Sequence, residues 1–383
     1  MGRRLAILVF LCLTLLLGFF FPDVWERAVS RNDSLPPGIQ APQKQLLRIW
    51  IMDDKVSSTP WLKRQATAFE KEQSGVSVYI RTALAQELTK EDTVLPDLIF
   101  FSPGLIKAPE NVFLPITGQF PISDGALRSG RWQGMQYALP VCLDGYALAY
   151  DPALTGSTAA TPAPTPLLGI GAAPSSTPEP QKGSTFQEFR TSLTSIPKGK
   201  NVTTDIQCSP GMPLLLFSVM SGGKEDLPAS ILHTGFGSAP KETALSEFAS
   251  GRSRSAMLTA VQLRSLLRQG RAFSIFASPI PASDLYLAAG IVNGSGKDLA
   301  MAFVQKLLSD SGQKDLVLSG LMSVNPSIQL YGGDPVFGIV EQSMLGDVLL
   351  PNAFSYDAQQ IKNVSQSMFT NGGAIINYFE SIR

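Results

Sequence analysis

The sequence predicts an α/β protein with two domains and an N-terminal membrane segment. The chain has 383 residues, more than one compact core of ordinary size requires. Between residues 47 and 101, short apolar runs typical of strands flank a segment with helical periodicity. The first 21 residues join two arginines to a long uncharged apolar run, as exported proteins do.

The N-terminal run from Leu5 to Phe21 contains no charged residue and follows Arg3 and Arg4. As a helix it would span about 25 Å, short for a bilayer crossing and slightly long for a signal-peptide core. The positive-inside rule keeps the arginines in the cytoplasm and exports the rest. A small-x-small site at 28–30 is separated from the run by three charged residues, which favours an uncleaved anchor. Cleavage remains open.

Two segments have the composition of linkers. Residues 22–45 contain Pro36-Pro37-Gly38 and little apolar periodicity, which indicates a tether between membrane and domain. Residues 155–185 are rich in Pro, Ala, Ser and Thr, and such a segment cannot bury enough apolar area to offset its chain entropy. We expect it to be an exposed, disordered loop.

The ordered elements begin with a strand at 47–52 and a helix from Pro60, with Ser57-Ser58-Thr59 as N-cap. Leu62, Ala66 and Phe69 lie on one face of that helix. Strands at 76–81 and 96–101 follow, and together these elements predict a largely parallel sheet. Later elements are helices at 185–193, 242–248, 297–309 and 361–368, an apolar segment at 213–220, a turn leading into a strand at 251–258, and an extended segment at 270–280.

Composition excludes several functions. With 31 basic and 31 acidic residues, the chain has no charge excess with which to bind nucleic acid. The single histidine, His233, argues against a zinc site and against a Ser/His/Asp or Cys/His catalytic set, and residues 294–298 lack the pattern of a phosphate-binding loop. We expect no cofactor.

Cys12 lies in the apolar run, whereas Cys142 and Cys208 are two buried thiols or a disulfide.

Six motifs, read in order and one of them made of two segments, resemble the extracellular solute-binding proteins of ABC importers (family 1, maltose-binding-protein-like). The most specific pair is 132–140, similar to a "G-x-x-Y-x-x-P" segment, followed by 147–151, similar to an "x-L-x-Y-N" strand. The other matching segments are 48–78, 96–100, 185–189, 248–257 and 297–313. The chain departs from the family pattern at Asp151, at Phe186, at Arg254-Ser255 and in the 155–185 insertion.

The resemblance implies a periplasmic-binding-protein-like fold of two α/β lobes. The first lobe would comprise 46–147 and 281–322, the second 151–276 and 325–383, with hinge crossings near 148–150 and 277–279. Such a protein is no enzyme: it binds a small-molecule solute outside the cytoplasm and delivers it to ABC transporter permease subunits. A carbohydrate is the first expectation for the solute, with a polyamine, a peptide or a metal chelate open. The alternative is a membrane-anchored ligand sensor or interaction module not coupled to transport.

Ligands of open α/β sheets bind beyond the carboxyl ends of the strands. This rule selects the loops after the first and third strands, and hydroxyl-rich ligands favour carboxylates and aromatic faces. The predicted ligand-binding residues are Asp53, Asp54, Trp61, Ser102, Asp144, Tyr146, Gly223 and Met257. Each has a competing structural role: Asp53-Asp54 as a helix cap or a solvated pair, and Trp61, Tyr146 and Met257 as core.

Overall fold

The computed structural model describes residues 44–90, 94–155, 202–204, 237–238, 244–277, 281–334, 336–346 and 348–357. These residues form two five-stranded sheets, a small hairpin and flanking helices. The strands are β1 Gln45–Met52, β2 Val76–Thr82, β3 Leu98–Phe101, β4 Arg131–Trp132, β5 Met135–Gln136, β6 Leu139–Leu143, β7 Tyr146–Tyr150, β8 Val202–Thr204, β9 Gly237–Ser238, β10 Ser255–Thr259, β11 Ser274–Ala277 and β12 Tyr286–Ile291. The helices are α1 Thr59–Glu72, α2 Asp124–Arg128, α3 Ala244–Ala249, α4 Ala260–Arg268, α5 Lys297–Leu308, α6 Asp310–Lys314 and α7 Phe337–Ser343.

The first sheet has the strand order β2-β1-β3-β12-β6. Its central strand β3 is buried along its whole length, which explains its uninterrupted apolar sequence. β1 pairs with β3 in parallel, but β12 runs antiparallel to both β3 and β6. The expectation of a largely parallel sheet is therefore wrong for this half of the sheet. The late strand β12 enters after the chain has left the second sheet, so no local crossover fixes its direction.

Helix α1 begins as the sequence predicts but is capped by a different residue. Pro60 lies in the first turn, where its missing N–H costs nothing. The N-cap residue Ser58 makes no side-chain cap. Instead, the Asp54 carboxylate accepts hydrogen bonds from the backbone N–H groups of Ser58 and Thr59 at 2.8 and 2.7 Å. The apolar face packs as predicted, and Phe69 meets Phe303 of α5 edge to face at 5.3 Å.

The second sheet has the order β11-β7-β10-β8-β9. β7 lies antiparallel between β10 and β11, and β10 pairs in parallel with β8. Helix α4 starts directly after β10 with a capping box formed by Thr259 and Gln262. This helix was not predicted, although the Thr259-x-x-Gln262 spacing followed by Leu263 and Leu266 is a helix-start signal.

The chain passes from the first sheet to the second at Asp144-Gly145, because β6 ends at Leu143 and β7 begins at Tyr146. The crossing predicted at 148–150 lies inside β7, so the structure places it several residues earlier. The Asp144-Gly145 dipeptide between the two apolar runs was the sequence signal for this link. The return crossing lies between β11 and β12, and residues 281–285 are its described part.

The segment around Phe354 packs against the first sheet. The N–H of Gly104 donates to the Ala353 carbonyl at 2.7 Å, and the Phe354 ring lies 6.0 Å from that of Phe101 in β3. The predicted division assigned all of 325–383 to the second lobe, and the structure differs here. Two aromatic rings from separate segments, Phe113 and Trp132, complete this cluster.

Several predictions lie outside the described residues. They are the N-terminal segment 1–21, nearly all of the tether 22–45, all but the first residue of the loop 155–185, the segments 185–193 and 213–220, the helix 361–368 and Gly223. Among the described residues, no helix combines the length and apolarity needed to cross a membrane.

Candidate functional site

The loop after β1 brings Asp53, Asp54 and Ser102 together at one edge of the first sheet. Asp53 adopts the left-handed conformation with φ 52°, which short polar residues tolerate. Its side chain is 46% exposed and forms an ion pair with Lys55 at 3.4 Å. The buried Ser102 hydroxyl donates to the Asp53 backbone carbonyl and fixes the loop. Of the two carboxylates, Asp53 faces solvent, and Asp54 caps α1.

Two of the predicted ligand residues lie in the core in this structure. Trp61 is 0% exposed, and its Nε1 donates to the Gly312 carbonyl at 3.0 Å, so it joins α1 to α6. Met257 is 2% exposed and lies in the middle of β10, paired with Leu148 and Thr204. Neither side chain offers a surface to a solute in this conformation.

Asp144 lies at the crossing itself and is 2% exposed. Its carboxylate accepts from the Ala260 N–H at 3.0 Å, at the positive end of the α4 dipole. Burial raises the pKa of Asp144 from 3.8 to about 7, against the opposing effect of hydrogen bonds from the Thr259 side chain and nearby backbone N–H groups. The Asp144 side chain therefore binds the N-terminus of α4, and its ionised form is disfavoured because it is buried.

The two crossings are hydrogen-bonded to each other. The Asp144 N–H donates to the Leu285 carbonyl at 2.9 Å, and the Ser283 hydroxyl donates to the Asp144 carbonyl at 2.6 Å. Gly145 allows close packing here, since a Cβ atom would stand 2.9 Å from Val340 Cγ1. Two adjacent chain segments, the two crossings, thus connect the sheets through a tightly packed region.

A buried network surrounds the return crossing. The Asp284 carboxylate accepts from the Tyr146 hydroxyl and from the Tyr356 hydroxyl, each at 2.7 Å. All three residues are at most 4% exposed. Because these tyrosines come from β7 and from the segment after α7, one carboxylate ties three parts of the chain together. Asp284 was missed from the sequence, although an acid within the apolar run 281–291 was a usable signal.

Cys142 lies in β6, the strand that ends at the first crossing. Burial raises the pKa of the Cys142 thiol, and the charges of Asp54 and Asp144 raise it further. Among the described residues Cys142 is a free, fully buried thiol, and Cys208, its alternative disulfide partner in the sequence analysis, lies outside them.

A small cavity lies beside the crossing. It has a volume of about 10 Å³, room for about one water molecule. Its lining includes Ser123, Met322, Asn325, Glu341 and Val348. A sugar does not fit there. Within the described ranges, no group of three His, Cys, Asp or Glu side chains is arranged to hold a metal ion.

Comparison with known proteins defines the fold. No protein-family model matches the chain, and no curated protein sequence matches it. The cyclic alpha-maltosyl-1,6-maltose binding protein of Arthrobacter globiformis superposes with a TM-score of 0.63 at 13% identity, over 88% of this chain and 97% of that one. The sugar-binding protein MalE of Xanthomonas citri gives 0.59 at 13% identity, over 88% and 96%.

A third similar structure is the GacH receptor of Streptomyces glaucescens, solved unliganded and with acarbose, with a TM-score of 0.57 at 14% identity over 88% and 97% of the two chains. At such identities the likeness shows the fold. The chain has the periplasmic-binding-protein-like α/β fold of these maltose- and maltodextrin-type proteins, as the sequence resemblance implied.

Proposed function

We propose that this protein is an extracytoplasmic solute-binding protein that encloses a carbohydrate by hinge closure and delivers it to the permease of an ABC importer. The observation that carries the proposal is the pair of hydrogen-bonded crossings between two sheets, in a fold shared with sugar-binding proteins. In this proposal the N-terminal apolar segment attaches the protein to the membrane.

The crossings supply what a hinge requires. A rigid-body closure concentrates its dihedral changes in a few residues at the ends of packed elements. Asp144-Gly145 is a two-residue link between β6 and β7, and the return crossing runs alongside it. The buried contacts of Asp144 and Asp284 keep the link in register while the sheets move.

Asp53 is the residue that we assign to ligand contact. Its exposed carboxylate can accept two hydrogen bonds from vicinal hydroxyl groups, and its loop is held by Ser102 and by the Asp54 cap. In this proposal Asp144 and Tyr146 belong to the hinge. Trp61 and Met257 stabilise the core and do not contact the ligand. Gly223 keeps its expected ligand role as part of the proposal.

The proposed function includes no chemical step. Asp144 has a pKa near neutrality, as general acids do, but its carboxylate is 2% exposed and hydrogen-bonded to the start of α4. Asp284 is similarly engaged by two tyrosines. Within the described residues, no feature favours the alternative of a sensor over a transport protein.

A thermal-shift screen tests the ligand class. The full chain in mild detergent is heated with maltodextrins, other oligosaccharides and polyamines. A ligand at 100 times its Kd adds about 2.7 kcal/mol of stability, so at least one sugar should raise the Tm clearly. Asp53→Asn should lose that rise without changing the Tm of the ligand-free protein. Stabilisation by polyamines alone would contradict the proposed ligand.

A further inference from the structure

Arg264 reaches from helix α4 of the second sheet to a different part of the chain. Its Nη1 donates to the Val317 carbonyl at 2.8 Å. Its guanidinium lies 4.9 Å from the ring centroid of Phe337 and 5.8 Å from that of Tyr331. Hydrogen bonds from a charged donor and cation–π contacts are both stronger than neutral surface contacts, especially at a half-buried site such as this one.

The turn that contains Val317 is attached to helix α1, which connects β1 and β2 of the first sheet. Arg64 of α1 binds this turn, donating from Nε to the Asp315 carboxylate at 2.9 Å and from Nη2 to the Ser319 hydroxyl at 3.2 Å. Gln65 of the same helix donates to the Asp315 carboxylate at 3.0 Å. These bonds fix residues 315–319 on α1, so the Arg264 bond connects the helix of one sheet to the helix of the other.

The backbone beside this contact leaves room for the guanidinium. Gly320 has φ +77°, a conformation that other residues adopt with strain. A Cβ atom there would stand 3.2 Å from Arg264 Nε. The glycine therefore both ends the turn and lets the arginine approach Val317.

We propose that Arg264 is a latch that holds the two sheets in the relative arrangement seen in the structure. A rotation about the two crossings moves α4 relative to α1 and must break the bond to Val317 or displace the turn. None of the latch partners is a candidate ligand residue. The latch rests on the proposed hinge motion, and in it Arg264 sets the equilibrium between arrangements from outside the candidate ligand residues.

Pulsed electron-spin distance measurement on the ligand-free full chain in detergent tests the latch. Nitroxide labels go on Thr67→Cys in α1 and Ser250→Cys after α3, both exposed positions, with Cys12 and Cys208 changed to Ser. Cys142 is 0% exposed and stays unlabelled. We expect the labelled parent to give one main distance that matches the structure, and Arg264→Ala to shift or broaden it.

Arg268→Ala is the matched control, because Arg268 is an exposed arginine one turn further along the same helix. Its distance distribution should equal that of the parent. If Arg264→Ala fails to fold, Arg264→Lys replaces it, since lysine keeps the charge but lacks the planar group that stacks and donates in this geometry. An unchanged distribution in the Arg264 variant, or an equal change in the Arg268 control, would overturn the proposal.

Discussion

The buried carboxyl of Asp144 makes the stability of the protein depend on pH in a direction opposite to that of most acids. Its pKa in the folded protein is raised from 3.8 to about 7. The folded state therefore binds a proton that the unfolded chain has already released at pH 5 to 6. Stability from this group is present below the unfolded pKa and is lost as the pH rises towards 7.

The magnitude follows from the shift. At 1.36 kcal/mol per pKa unit, a rise from 3.8 to about 7 corresponds to about 4 kcal/mol between the acidic limit and pH 8. Asp144→Asn removes the titration and keeps a side-chain carbonyl oxygen that can accept from the N–H of Ala260. The variant should gain stability relative to the wild type as the pH rises.

Urea unfolding of both proteins at pH 5 and pH 8, followed by tryptophan fluorescence, measures the effect. From pH 5 to pH 8, we expect the unfolding free energy of Asp144→Asn to rise relative to that of the wild type by about 2–3 kcal/mol, the part of the total that is lost between these two pH values. Glu110→Gln, the same change at an exposed acid, should show no such movement. The reasoning is refuted if the wild type becomes more stable relative to the Asp144 variant from pH 5 to pH 8. The helix would then stabilise the carboxylate more than burial destabilises it.

Three further changes probe the packed contacts around the crossings. Tyr356→Phe removes one of the donors to the buried Asp284 carboxylate and should lower the unfolding free energy by about 1–3 kcal/mol in urea titration; a loss below the error would deny the network a structural role. Gly145→Ala should cost about 1–3 kcal/mol through overpacking, whereas Gly294→Ala, with nothing within 4 Å of the added Cβ, should not; equal costs would contradict the tight crossing. Trp61→Phe should lower the Tm by the loss of its bond to Gly312 and leave the sugar Kd in calorimetry unchanged; a large rise in Kd would return Trp61 to the ligand site.

The elements with the clearest apolar patterns could be predicted from sequence. α1 and α5 lie close to their expected positions because their apolar residues repeat with the helical period, and β1 and β3 do so because each is a short apolar run of strand length. The direction of β12 could not be predicted, since it depends on where the chain returns from the second sheet. The N-cap of α1 was predicted at Ser57-Ser58-Thr59, but the structure bears out the competing interpretation of Asp54 as a helix cap, since its carboxylate accepts from the N–H groups four and five residues downstream.

The sequence predicts which residues of the candidate site meet at the sheet edge, but not the role of each side chain. Asp53, Asp54 and Ser102 meet at the sheet edge, as the rule for strand ends implies. The role of each side chain depends on burial, which the sequence does not give: Asp54 serves a helix, Trp61 serves the core, and Asp144 lies inside the crossing. Asp284 and Arg264 act on residues more than 50 positions away, so their partners could not be predicted, although Asp284 itself stands out as an acid within an apolar run.

Hinge closure over a sugar is tested most directly by the distance between labels at Thr67→Cys and Ser250→Cys, measured without ligand and with a saturating sugar from the screen. Closure predicts that the sugar replaces the ligand-free distance by one new, narrow distance, and that the replacement follows the binding curve from calorimetry. Saturable sugar binding that leaves the distance unchanged would show that the two sheets do not move, and would contradict the proposed mechanism.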